Sequence, residues 1–221
     1  MTKKFTRAAM AAVLVVSAGM AGATGAMAQG NQPTLQSMLG AQVAFLESRF
    51  GPARTVDRDQ RTYVIGACEA SVTTSGDEVV GYAVPLTRAC STHAYAALQA
   101  YELPRKLNLT LGEFARIRDN VRFKADCLSL CGNAADPWVY FESQGLRGQE
   151  GIRAGTILVD GGAIDASDRI ENAIKAAHGE DYVIDTKFNC TTEFDAVAVR
   201  ELDRVAITEI AVGAAPLNDC L

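Results

Sequence analysis

Histidine is almost missing from this chain, with only His93 and His178 among 221 residues. There is therefore no H-x-x-x-H spacing for a catalytic zinc, and no C-x-x-C pair stands in for it. Serine nucleophiles are presented on a strained turn such as G-x-S-x-G, which is absent, so Ser91 and Thr92 beside His93 make no hydrolase site. Trp138 is the only tryptophan, too few for the aromatic-lined groove of a glycoside hydrolase. The acidic run DGGAIDASD lacks both the alternation and the distal Glu of a calcium loop, and helix N-terminal stabilisation accounts for its carboxylates. Cofactor-binding and metal-binding readings are set aside on these grounds, and no catalytic residue is nominated.

Positive charge is scarce as well. Three of the 21 Lys+Arg and none of the 26 Asp+Glu lie in the first 28 residues, leaving 18 cations against 26 anions, a net charge of −8. An acidic surface of that kind argues against sequence-independent nucleic-acid binding, which neutralises phosphates with clustered cations. Past the N-terminal segment no apolar run is long enough to cross a bilayer.

What is present begins with an export signal. Lys3, Lys4 and Arg7 precede an apolar, Ala-rich stretch, and Ala26-Met27-Ala28 is an A-x-A cleavage site. Removal of residues 1–28 is expected, without lipid attachment because no cysteine follows. The mature chain is then periplasmic or secreted. Six cysteines in an oxidising compartment predict disulfides. A repeated frame favours Cys68 with Cys90 and Cys190 with Cys220, which leaves Cys127 with Cys131.

Along the chain, Thr34 caps a helix over residues 34–50 whose apolar members recur at three and four residue steps, and Gly51-Pro52 stops it. Residues 61–68 and 78–86 read as strands around a Ser75-Gly76-Asp77 turn. A short helix is expected within residues 90–101. Residues 109–117 are ambiguous, although Thr110 and Glu113 suit a capping box. Residues 121–127, 137–143 and 154–160 read as strands. A second long helix over 163–178, capped by Asp165 or Ser167, ends at Gly179, and three strands follow at 182–188, 194–199 and 204–212. The expected fold is α+β, an antiparallel sheet with helices on one face, built from repeated helix-hairpin units. One unit would occupy residues 29–104 and the other 105–221, or the two would form one continuous domain.

Three features invite a functional reading. Cys127 and Cys131 enclose a short loop, and the surrounding GNAADP and strand favour a structural bridge over thiol-redox or metal handling, which is the alternative function. In PWVYFES, alternation puts Trp138 and Tyr140 on one face of a strand, as a binding patch or as core. Gly145, Gly148 and Gly151 lack the helix of a dinucleotide loop and suggest a mobile lip.

Two resemblances add to this reading. Residues 43–84, with Phe50-Gly51-Pro52, Tyr63 and the return from Gly76 to Val79, resemble the small helix-plus-sheet unit of SmpA/OmlA envelope lipoproteins and β-lactamase-inhibitor proteins. Residues 125–137, ADCLSLCGNAADP, resemble a signature of secreted Gram-negative proteins to which no activity is assigned. Together they imply a non-enzymatic envelope protein, disulfide-stabilised, that contacts an envelope protein partner or another macromolecule.

Overall fold

The computed structural model describes residues 33–118, 120–132, 137–145 and 150–213. The expected export signal, Cys220, Gly148 and part of the GNAADP segment lie outside these residues. Among them eight strands form one antiparallel sheet in the order β1-β2-β3-β4-β8-β7-β6-β5. The strands are β1 (Thr55–Asp57), β2 (Gln60–Ile65), β3 (Cys68–Ser75), β4 (Glu78–Pro85), β5 (Arg122–Ala125), β6 (Trp138–Ser143), β7 (Ile152–Ile157) and β8 (Glu209–Val212). The helices are α1 (Val43–Phe50), α2 (Ser91–Ala100), α3 (Leu111–Ile117), α4 (Gly161–His178), α5 (Glu180–Ile184) and α6 (Asp195–Glu201). The α+β class and the antiparallel sheet are as the composition of strands and helices predicts.

Strand alternation divides the sheet into two faces. Tyr63, Val72, Tyr82, Val84, Phe123, Val139, Phe141, Ala154, Ile210 and Val212 join one core with Leu46, Ala97, Leu98, Phe114, Ile170 and Ile174 from the helices. The intervening residues point the other way. From β5 across to β4 this outward row runs Lys124↔Tyr140, Tyr140↔Gly155, Gly155↔Glu209 and Glu209↔Pro85.

Several elements differ from the sequence expectation. The first long helix is broken into a 3-10 turn (Leu35–Met38) and α1, because Gly40 takes a positive φ of 76° and the backbone there pairs with β4: Gly40 N–H donates to Val79 O and Val79 N–H to Ala41 O. Strand β3 lies between the two expected strands, so the Cys68 strand turns at Gly66 and runs back to Gly76 before β4 begins. The cap of α4 is Asp160, whose carboxylate accepts from Ala163 N–H at 2.8 Å, in place of Asp165 or Ser167. The ambiguous segment is helix α3, and its capping box forms in both directions, Glu113 N–H to Thr110 Oγ1 and Thr110 N–H to Glu113 Oε2.

The largest correction concerns the segment after Gly179. The strands expected at 182–188 and 194–199 are helical: α5, a 3-10 turn (Lys187–Cys190) and α6. Tertiary contacts select this conformation. Asn189 bonds both backbone groups of Ala125, Asp195 accepts from Phe123 N–H, and Lys124 reaches Asn189 O, so these turns cover the otherwise open edge of β5. Cys190 therefore sits in a 3-10 turn rather than a strand. Of the expected strand at 204–212 only Glu209–Val212 pairs in the sheet, since Ala206 bridges Thr110 instead.

Cys68–Cys90 and Cys127–Cys131 are disulfides, the pairings expected for these four cysteines. Cys190 is also disulfide-bonded, and its expected partner Cys220 lies outside the described residues.

Candidate functional site

The outward face of β6, β7 and β8 holds a recess of about 170 Å³ lined, among the described residues, by Asp126, Trp138, Tyr140, Arg153, Gly155, Glu209 and Ala211. Its construction follows from register. Gly155 stands directly between Tyr140 and Glu209, and Ala211 stands beside Arg153, so the two positions at the middle of the floor carry little or no side chain. A β-carbon at Gly155 would lie 3.3 Å from Tyr140 Cβ and 3.4 Å from Trp138 Cε3, which places both aromatic residues against bare backbone.

The walls are polar. The Arg153 guanidinium lies over the Tyr140 ring, 5.4 Å from its centroid, a cation–π contact that holds both groups in place. Tyr140 is only 6% exposed, and its hydroxyl and the Nε of Arg153 are both closed off from solvent. Burial pushes the Tyr140 phenol above its ordinary range, so it stays protonated as a donor. Burial also raises the Glu209 carboxyl; Arg153 pulls the other way and Asp126 adds to the rise.

Trp138 and Tyr140 thus share a face, as alternation requires, while Val139 and Phe141 are in the core. They line a recess; they do not stand on an open surface. Arg153, Gly155 and Glu209 escaped the sequence reading, because only the pairing of β7 and β8 brings them beside β6.

The remaining candidates are placed elsewhere. His93 is buried and its Nδ1 accepts from Leu35 N–H at 3.3 Å, with Phe50 edge-on at 5.8 Å, so it joins the 3-10 turn to α2. His178 ends α4, bonded to Glu193 at 2.8 Å and stacked on Tyr182. The Cys127–Cys131 loop is closed, with Leu130 exposed at its tip. Among the described residues no three His, Cys, Asp or Glu side chains gather as metal ligands, and no helix is long and apolar enough to cross a membrane. No family model matches the chain, and neither does any curated protein or solved structure.

Proposed function

We propose that this chain is a non-catalytic binding protein of the bacterial envelope, exported with loss of residues 1–28 and braced by disulfides, which holds an envelope partner against the outward face of its sheet. The observation that carries this reading is the recess on the outward sheet face, where Trp138, Tyr140, Arg153 and Glu209 gather around the bare backbone of Gly155. A recess that combines an aromatic wall with a few convergent polar groups has the usual make-up of a binding site. The two closed disulfides accord with an oxidising compartment. Two related units also fit the sheet: α1 precedes β1 to β4, α3 precedes β5 to β8, and the two sets meet where β4 pairs with β8.

Trp138 is the sole tryptophan, so fluorescence excited selectively at tryptophan, apart from the six tyrosines, reports on this recess. Protein, glycan and lipid fractions of a Gram-negative envelope, titrated separately into the purified chain, should include one that shifts Trp138 emission saturably. Gly155→Val, which fills the floor, should abolish that shift. A flat response to all three fractions, or an equal response in the variant, would refute binding at this face.

A further inference from the structure

Cys190 is disulfide-bonded, and Cys68, Cys90, Cys127 and Cys131 are bridged to one another, so of the six cysteines only Cys220 is left for it. Cys220 lies outside the described residues, but described residues fix both ends of the span it must make. At one corner of the sheet β8 ends and Gly213 N–H donates to Gly151 O, just before β7. At the opposite corner Asn189 bonds both backbone groups of Ala125 on the edge strand β5, and its backbone carbonyl accepts from Lys124 Nζ at 2.6 Å. Lys124 belongs to the outward row, so Cys190 stands beside the outward face.

Crossing β7, β6 and β5 to the turn that carries Cys190 takes about four strand spacings, or about 19 Å, and the climb of about five residues along the strands takes about 17 Å. The straight diagonal is then about 25 Å, and the detour round the sheet's end and up its edge about 36 Å. Seven residue steps separate Gly213 from Cys220. Extended, they reach about 25 Å, and a bridge adds about 5.5 Å between α-carbons, so the chain spans the diagonal and falls short of the detour. Pro216 favours extension, since it keeps Ala215 out of the helical region. The core face is closed by helix side chains such as Phe114, Ile170 and Ile174, which leaves the outward face. There the diagonal passes over Arg153, Glu142, Tyr140 and Lys124. Glu142 and Lys124 are 8% exposed and Tyr140 6%, and Arg153 Nε is closed off, whereas Thr62, Ser71 and Thr73 on the same side of β2 and β3 keep partial exposure.

We propose that residues 214–220 form a strap, tied down by a Cys190–Cys220 bridge, which crosses the outward face along this line and competes with the envelope partner for it. The competition rests on the reading above that this face is the binding surface; the strap itself does not.

Peptide mapping of the oxidised chain by mass spectrometry should find Cys190 linked to Cys220. A photoreactive benzophenone side chain replacing Leu217, at mid-span, should attach to peptides of β6 or β7 on irradiation. A different pairing, or attachment to helices alone, would overturn the strap. Carbodiimide labelling should leave Glu142 protected in the parent and modify it in a chain ending at Gly213 with Cys190→Ser, while the exposed Glu69 is labelled equally in both. Glu142 still protected in that shortened chain, shown folded by circular dichroism, would also overturn the strap. Its removal should tighten binding of whichever envelope fraction shifts Trp138 emission. Unchanged affinity would overturn the competition, and silence from every fraction with the strap mapped would sink the binding-surface reading while the strap stands.

Discussion

Arg118 carries a charge into a nearly closed interior and finds carbonyls there. Its guanidinium donates to Tyr101 O, Gln144 O and Ser143 Oγ, and lies 5.7 Å from the centroid of the Tyr101 ring. Arg118→Met removes every donor and strands those acceptors, so a loss of about 3 kcal/mol in urea unfolding is expected. Arg118→Lys should recover only part of it, since an ammonium cannot reproduce the planar fork. His93 supplies a pH-dependent counterpart. Burial holds its pKa below the ordinary 6.5, so the unfolded chain takes up a proton before the folded one does. Stability from neutral His93 is therefore present above about pH 6.5 and is lost as pH falls through the folded-state value. His93→Gln, which cannot titrate, should show a smaller drop in melting temperature between pH 7.5 and 5.5 than the parent chain does.

At the scale of elements, the start of α3 lies directly on the turn after α6. A β-carbon on Gly112 would stand 2.5 Å from Asp203 O and 2.7 Å from Asp203 Cα, while Arg116 pairs with the Asp203 carboxylate. Gly112→Ala should therefore destabilise by about 2 kcal/mol despite its better helix propensity, measurable by thermal denaturation. The Cys68–Cys90 bridge ties the start of β3 to the N-cap of α2 across 22 residues. Replacing both cysteines with alanine should lower stability by about 3 kcal/mol on the chain-entropy account, against about 2 kcal/mol for the five-residue Cys127–Cys131 ring. These elements were not equally visible in the sequence. Periodicity and Gly179 mark α4, and the capping pair Thr110 and Glu113 marks α3. By contrast β3, CEASVTTS, carries small and polar residues that read as a connection, and α5 and α6 contain enough Val and Phe to read as strands. Their conformations depend on neighbours: β3 is paired on both sides, and the helical turns follow the edge of β5.

Across the whole molecule, β4 and β8 join the two halves through the register Tyr82↔Val212 to Pro85↔Glu209, and Gly213 permits this closeness because a β-carbon there would lie 2.2 Å from Val80 O. One sheet and one core predict one unfolding transition, so circular dichroism and Trp138 fluorescence should give coincident urea curves. Titration of thiols before and after denaturation should find none, in keeping with the absence of free cysteines among the described residues. Two titratable thiols at Cys127 and Cys131 would favour the redox alternative. The acidic balance, two cysteine pairings, the α+β class and the common face of Trp138 and Tyr140 are all legible in the chain, because each depends on residues near one another or on composition. The recess was decided by the tertiary structure. It needs Tyr140, Gly155 and Glu209 in one row, and only hydrogen-bonded register between strands far apart in the chain puts them there.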